Sequence, residues 1–266
     1  MTIFQSIILG IVQGLTELLP ISSTAHLEII PWVFNWGIIP RYFDIALHFG
    51  TLLAIVIFFF KDWIKLVVGG FKQVIKKEKS TEGRMFWYLV AATIPGGLIG
   101  YICEHYIDEF LDEKQMVAMG IIATSLIIFG VLLYLADKYS KTETEYKDMT
   151  FKQTFLIGLS QAVAFIPGVS RSGITMTVSR FMKVDRESAA RFSFMLSTPI
   201  TFAAVVFKLK DFIFNLEFLI GVLASFIIGI IVIKFLLDYL KKGSFKIFAI
   251  YRVIVGLLIY VLIFVK

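Results

Sequence analysis

The chain is poor in the residues on which many soluble enzymes and small secreted proteins depend. Cysteine occurs once, at Cys103, which excludes an internal disulfide and any metal site built from cysteine pairs. Only 17% of the 266 residues are charged, and histidine occurs three times. Hydrophobic residues make up 58% of the chain, with 27 phenylalanines and a mean hydropathy of +0.83. This balance excludes an ordinary soluble domain and indicates an integral membrane protein.

A further absence separates the two known membrane architectures. Barrel strands are segments of about ten residues that alternate in polarity, and the chain has none. Apolar stretches of about 17 to 25 residues recur instead, and in lipid such stretches must be helical to satisfy their backbone groups. The first residues lack a basic region and a small-residue cleavage site, so we expect no removable signal peptide. We predict an all-α polytopic membrane protein, a single integral membrane domain over 1–266, with six transmembrane helices: Tyr42–Phe60, Met85–Ile102, Met116–Leu135, Ser188–Val206, Phe218–Leu240 and Ile247–Phe264.

The charges between these spans predict their orientation. The basic connection 61–84 is expected in the cytoplasm, and the acidic loop from Cys103 to Gln115 outside it. We therefore assign the net charge of +6 to topology and to contact with lipid headgroups, with no nucleic-acid partner. Residues 1–40 and 151–182 are each apolar on both sides of a proline break and return to the side they start from. They are predicted to be two re-entrant helix pairs.

A weak internal repeat relates these two helix pairs. Several residue types recur 148 positions later, in halves of about 1–140 and 150–266. Because one pair enters from outside and the other from inside, the halves are predicted to form an inverted-topology repeat whose tips meet near mid-membrane. The matched positions are Gly10 with Gly158, Gln13 with Gln161, and Ser22 with Ser170.

The first tip carries the sequence QGLTELLPISSTAH, from Gln13 to His26. Gln13 and Glu17 are four residues apart and share one helix face. An ionisable side chain at membrane depth is by default a functional site, and a carboxylate there can bind a hard cation or act as a general base. His26 changes charge near neutral pH and suits proton transfer. The backbone amides that begin the next helix can bind an anion. Hydroxyl groups at the same place add hydrogen-bond donors, and they belong to Ser22, Ser23 and Thr24.

The second tip carries PGVSRSG, from Pro167 to Gly173. The planar guanidinium of Arg171 matches a phosphate group, Ser170 and Ser172 flank it, and Thr175 lies one turn further on. Phosphate is the substrate group that best explains both tips together.

Simpler interpretations remain open at this level. Glu17 and Arg171 could form only a structural ion pair, and Ser22 and Thr24 could be helix caps or interhelical contacts. His48, in FDIALHFG, is interpreted as a packed or interfacial histidine. Asp44 stays open between a charge that reaches the membrane surface and a partner of the site.

These motifs resemble those of the bacterial undecaprenyl-pyrophosphate phosphatase family, also called the bacitracin-resistance proteins. The resemblance covers essentially the whole chain, through QGLTELLPISSTAH, PGVSRSGIT, FDIALHFGTLLA and the ATIPG of Ala92–Gly96. It implies hydrolysis of a C55 polyprenyl diphosphate to the monophosphate and inorganic phosphate. This reaction recycles the lipid carrier of peptidoglycan synthesis and confers bacitracin resistance. The resemblance also implies a divalent cation, Mg²⁺ or Ca²⁺, and a site that opens to the extracytoplasmic side of the bacterial plasma membrane.

The resemblance assigns roles to individual residues. It makes Glu17 the acidic catalytic residue and the candidate metal ligand, places Ser23 and His26 at the reacting phosphate, and makes Arg171 a diphosphate ligand. The family has an acid or an amide at Gln13, and the amide here leaves this helix with one carboxylate. The remaining predicted substrate-binding residues are Gln13, Ser22, Thr24, Ser170, Ser172 and Thr175.

Three questions stay open in the sequence. The attacking group could be Ser23, His26 or a water molecule. Inverted repeats with broken helices are also typical of transporters, so the alternative function is a flippase for the polyprenyl phosphate lipid. The protein could act as a monomer or as a homodimer.

Overall fold

The protein is all-helical in the residues that its computed structural model describes, which are 1–37, 39–113 and 115–265, with side chains described at all of these positions except 101 and 103–113. This part of the chain forms eleven α-helices and no β-strand. The helices are α1 (Ile3–Thr16), α2 (Ser23–Phe34), α3 (Arg41–Phe58), α4 (Phe60–Ile75), α5 (Thr81–Glu113), α6 (Gln115–Tyr139), α7 (Phe151–Ser160), α8 (Arg171–Phe181), α9 (Arg186–Phe207), α10 (Leu216–Leu240) and α11 (Lys246–Val265).

Five helices within the described residues are long and apolar enough to cross a membrane, namely α3, α6, α9, α10 and α11. They confirm five of the six predicted spans. The sixth, Met85–Ile102, lies inside α5, which continues to Glu113. The prediction of a loop beginning at Cys103 was therefore wrong for the backbone. The segment 103–113 contains neither proline nor glycine, so nothing in it ends the helix. The acidic side chains of this segment were predicted to lie on the extracytoplasmic side of the membrane, and they are not among the side chains that the structure describes.

The basic connection 61–84 is also more ordered than predicted, because it contains most of α4. Its lysines at positions 61, 65 and 72 lie on a helix that packs against α5. The spacing of apolar and charged residues along α4 is amphipathic, and that periodicity was the available signal.

The two predicted breaks occur just ahead of their prolines. Helix α1 ends at Thr16, before Pro20, and α7 ends at Ser160, before Pro167. A proline lacks an amide hydrogen and clashes with the carbonyl four residues earlier, which for Pro20 is that of Thr16. After α7 the chain instead tightens into a short 3₁₀ helix, Gln161–Phe165, before it reaches Pro167. We call residues 17–21 and 161–169 the two break segments. Each separates a pair of short helices, α1 from α2 and α7 from α8.

The helices that precede the breaks begin in the same way. At the start of α1, the Thr2 hydroxyl accepts from the Gln5 amide, and the Gln5 side chain accepts from the Thr2 amide. Thr150 and Gln153 form the same capping box at the start of α7. The two boxes are 148 residues apart in the sequence, the spacing of the internal repeat.

The helices that follow the breaks begin in the same way too. Ser22 caps α2 with φ 75° and ψ 98°, and Ser170 caps α8 with φ 72° and ψ 114°. A positive φ is uncommon for a residue with a side chain and is most frequent at functional or strained sites. Two serines at matched positions therefore hold the same unusual backbone geometry beside the predicted site.

Each short pair is anchored by a glycine at a close helix crossing. Gly10 of α1 faces the backbone oxygen of Gly221 in α10, where a β-carbon would come within 2.7 Å. Gly158 of α7 is pressed against Ala92 of α5 in the same manner. Helix α6 packs along α11, and α3 along both α10 and α9. These contacts bring the two break segments together inside the bundle.

A buried charge cluster joins several helices at another point. Asp137 of α6 is 5% exposed and accepts hydrogen bonds from Arg180 Nε at 3.1 Å, Arg186 Nε at 2.6 Å and the Phe245 amide at 3.0 Å. Helices α8 and α9 and the start of α11 are thereby fixed to α6.

Candidate active site

Glu17 and Arg171 meet across the two break segments. Glu17 is the residue that ends α1, and its Oε1 accepts a hydrogen bond from Arg171 Nη2 at the start of α8. Arg171 also donates from Nη1 to Thr201 Oγ1 of α9, at 2.9 Å. The guanidinium is thus held by two helices besides its own. The structure brings this pair together as the sequence predicts.

The second oxygen of Glu17 faces the other end of the first motif. Ser23 Oγ donates to Glu17 Oε2 at 2.6 Å, and Gln13 Nε2 lies 3.4 Å from the same oxygen. A carboxylate that accepts a hydrogen bond from a hydroxyl is placed to act as a general base toward that hydroxyl. The predicted sharing of one helix face by Gln13 and Glu17 is observed.

His48 belongs to this group, which the sequence interpretation missed. Its Nδ1 lies 2.8 Å from Gln13 Nε2 and 3.4 Å from Glu17 Oε2. His48 comes from the middle of α3 and faces the site. The interpretation of His48 as only a packed or interfacial histidine is therefore corrected. The one signal in the sequence was its place in FDIALHFG, among the lesser family-like segments.

His26 occupies a different position from the one predicted. Its Nδ1 lies 2.7 Å from the Ser22 carbonyl oxygen and must carry the hydrogen, which leaves Nε2 to accept from Tyr251 Oη at 2.7 Å. The two rings stack with their centroids 5.7 Å apart. Both ring nitrogens are therefore engaged with protein atoms, and His26 does not line the cavity described below. Its role at the phosphate stays a prediction, and its partner Tyr251 was not foreseen.

A cavity of about 200 Å³ lies between the tips, and Glu17 is the one carboxylate among the described residues that line it. It opens beside a larger cavity of about 600 Å³, with which it shares Thr24, Ile45, His48, Ala164 and Phe165. The larger cavity has both acidic and basic side chains on its rim. The polar residues that line the smaller cavity are Glu17, Ser22, Ser23, Thr24, His48, Gln161, Ser170, Arg171 and Thr201.

The other predicted hydroxyls mainly hold the backbone. Ser22 and Ser170 line the cavity but also cap their helices, accepting from backbone amides at 3.3 and 3.1 Å. Ser172 Oγ donates to the Leu19 carbonyl at 3.0 Å and so joins the start of α8 to the first break segment. Thr175 donates to the Arg171 carbonyl at 2.8 Å and lies 2.7 Å from Ser193 Oγ. Ser172 and Thr175 do not line the cavity, and neither does Gln13.

The residues present fit a divalent cation only if the substrate brings ligands to it. Within the described residues, no group of three histidine, cysteine or acidic side chains is placed to hold a metal. Glu17 offers one carboxylate, and the buried Gln13 Oε1 has no hydrogen-bond partner. Mg²⁺ commonly binds through one or two carboxylates together with substrate phosphates. This donor set is compatible with an ion that binds jointly with a phosphate group.

The fold defines a multi-helix membrane protein whose cavity is lined by the carboxylate of Glu17 and the guanidinium of Arg171. Comparisons with known proteins give the family. The family model described as bacitracin resistance protein BacA matches residues 6–258. An undecaprenyl-diphosphatase from Pelotomaculum thermopropionicum is 46% identical over 265 residues, covering 98% of this chain and 97% of the relative. An undecaprenyl-diphosphatase from Desulforudis audaxviator is 45% identical over 262 residues, covering 97% of each. The chain belongs to the bacitracin-resistance protein family.

Proposed function

We propose that this protein hydrolyses undecaprenyl diphosphate to undecaprenyl phosphate and inorganic phosphate, and so recycles the carrier lipid of cell-wall synthesis and confers bacitracin resistance. The observation that carries the proposal is the contact of Glu17 with both Arg171 and Ser23 in one cavity. The identity of the substrate is proposed from the name undecaprenyl-diphosphatase, which is given to relatives that the chain matches over 97% of their length.

The described side chains divide the work of phosphoryl transfer. Arg171 is positioned to bind phosphate oxygens while Thr201 holds its Nη1, and the backbone amides at the start of α2 and α8 add donors for an anion. Glu17 takes the proton of the attacking hydroxyl, which is that of Ser23 or of a water molecule in its place, as its oxygen bonds to the terminal phosphorus and the bridging P–O bond breaks to release undecaprenyl phosphate. If Ser23 attacks, a water molecule then cleaves the phosphoserine to release inorganic phosphate. Phosphoryl transfer depends mostly on such positioning and charge stabilisation.

Two further groups complete the proposal. Glu17, the carboxylate that lines the cavity, would hold Mg²⁺ or Ca²⁺ jointly with the diphosphate, and the ion would neutralise phosphate charge. His26 remains the proposed proton-transfer residue on the family resemblance alone, and this role requires its Nε2 to exchange Tyr251 Oη for a group at the phosphate.

We further infer six transmembrane helices and two re-entrant pairs in an inverted repeat, with the site open to the extracytoplasmic face of the bacterial plasma membrane. The matched capping boxes and the matched serine caps, each 148 residues apart, support the repeat. The basic connection 61–84 supports the orientation. A single cysteine placed in this connection, with Cys103 replaced by serine, should react only with a membrane-permeant reagent. Labelling from outside would reverse the orientation.

The activity is tested by phosphate release from purified protein. We expect release from undecaprenyl diphosphate and from farnesyl diphosphate with Mg²⁺ or Ca²⁺, and none after chelation with EDTA. The matched control is Arg171→Ala, which should be folded and inactive. If the wild-type protein releases no phosphate with either ion, the proposed activity is wrong.

Lipid transport without hydrolysis is the less favoured function. Binding and moving a phosphate headgroup requires a cation and hydrogen-bond donors, which Arg171 and the helix starts supply. The hydrogen bond from Ser23 to Glu17 exceeds that requirement, because a carboxylate beside a phosphate adds repulsion that binding does not need, whereas a general base is needed to activate a hydroxyl for hydrolysis.

A further inference from the structure

Arg252 of α11 is completely buried and binds both break segments. Its Nη1 donates to the carbonyl oxygen of Pro20 at 3.4 Å, and its Nη2 donates to those of Gly168 and Val169 at 3.2 and 2.8 Å. Pro20 belongs to the first break segment and the other two residues to the second. One guanidinium therefore links the two halves of the cavity wall from behind.

No carboxylate among the described side chains neutralises the charge of Arg252. The ion pairs formed by the described residues do not include it, and its Nε has no hydrogen-bond partner. The other fully buried arginine, Arg180, binds Asp137. Burying a cation without a carboxylate partner is costly, and here three backbone carbonyls offset that cost. A charge kept at such a place indicates a functional role.

The start of α8 leaves room for this guanidinium. A β-carbon added to Gly173 would come 2.5 Å from Arg252 Nη1, which is closer than real β-carbons approach other atoms. Gly173 is two residues after Arg171, and its amide donates to Ser170 Oγ at 3.1 Å. The absence of a side chain at Gly173 thus lets Arg252 reach the loop that presents Arg171.

We propose that Arg252 is a positioning residue for the hydrolysis proposed above, and that its guanidinium holds the two break segments in the register that pairs Glu17 with Arg171. The proposal rests on the proposed function for its kinetic consequences. Arg252 does not line the cavity, so it acts through the backbone of the two segments and not on the substrate. The planar fork of donors is the essential feature, because it reaches carbonyls on both segments at once.

The first test measures kcat and KM for Arg252→Gln and Arg252→Lys, with wild type in the same assay. We expect kcat per folded protein to fall about 100-fold in both, the loss that a 1 Å misplacement of reacting groups can cause, with KM little changed. Lysine should not rescue, since one ammonium cannot reach both segments. A kcat of the folded fraction near that of wild type in Arg252→Gln would overturn the proposal.

Gly173→Ala gives a second route that keeps Arg252 in the chain. The added methyl should displace the guanidinium and lower kcat in the same way, and the double variant with Arg252→Gln should lose little more than either single variant. The control is Gly97→Ala in α5, where an added β-carbon meets no atom within 4 Å and activity should be unchanged. Additive losses in the double variant would contradict a shared contact.

A readout independent of turnover separates this inference from the proposed activity. Amide hydrogen exchange is measured in wild type and in Arg252→Gln. Relative to wild type, exchange in the variant should be faster at both break segments and unchanged in α6 and α10. If wild type releases no phosphate but exchange rises at these segments, the proposed activity is wrong and the positioning contact holds. Unchanged exchange at the segments, or a rise spread over the whole bundle, would refute the positioning role.

Discussion

Replacing Glu17 with glutamine separates a catalytic carboxylate from one that only pairs with Arg171. The substitution keeps the size of the side chain and its ability to accept a hydrogen bond, but it removes the charge. The Glu17 side chain is 7% exposed and that of Arg171 is 24% exposed, so the remaining cation is partly hydrated. It also keeps its hydrogen bond to Thr201.

The two interpretations predict different magnitudes. Breaking a fully buried ion pair costs about 3–5 kcal/mol of stability, and we expect about 2 kcal/mol here because Arg171 retains water and Thr201. Loss of a general base lowers the rate by about 10²- to 10⁴-fold, which raises the activation free energy by about 3–5 kcal/mol. A purely structural pair would lower stability and leave the turnover of folded protein intact.

The assay is phosphate release per folded Glu17→Gln protein, with thermal unfolding in detergent measured on the same preparation. The double variant Glu17→Gln/Arg171→Met removes both charges, so it should recover stability relative to Glu17→Gln but no activity. Turnover above about a tenth of wild type in folded Glu17→Gln would refute the catalytic assignment of this carboxylate.

Three other perturbations test the remaining parts of the structure. His48→Phe keeps a ring but removes the nitrogen that faces Gln13, so it should lower phosphate release about tenfold, which corresponds to about 1.4 kcal/mol of activation free energy. His48→Asn can still offer a polar atom there and should lose less activity. Equal losses in the two variants would contradict a hydrogen-bonding role. Asp137→Asn leaves Arg180 and Arg186 without their carboxylate and should lower the free energy of unfolding by about 3–5 kcal/mol, with the turnover of folded protein unchanged. A free energy of unfolding near that of wild type would show that the cluster contributes little to stability. Chelation by EDTA should abolish phosphate release and added Mg²⁺ or Ca²⁺ should restore it, whereas full activity in excess chelator would remove the divalent ion from the proposal.

The main helices and breaks could be predicted from local sequence. Lipid forces apolar stretches to be helical, so hydropathy alone located α3, α6, α9, α10 and α11. Pro20 ended α1 for a steric reason that acts within a few residues, whereas Pro167 only marked a break that begins earlier, at the 3₁₀ helix Gln161–Phe165. The extent of α5 was harder to predict, because the charged residues after Ile102 suggested a loop. The helix nevertheless continues to Glu113, since the segment contains no proline or glycine to end it.

The candidate site divides along the same line. Glu17 and Arg171 stand out because an ionisable residue in an apolar segment is costly wherever the segment packs, so the sequence by itself determined that these residues matter. His48, Thr201, Tyr251 and Arg252 belong to membrane-crossing or neighbouring helices whose side-chain direction depends on how each helix is rotated in the bundle. Only the tertiary structure decided that His48 faces Glu17, that His26 turns toward Tyr251, and that Arg252 joins the two break segments. The physical reason is that these contacts are made between helices far apart in the chain, and their rotation is set by packing over the whole bundle rather than by neighbours in the sequence.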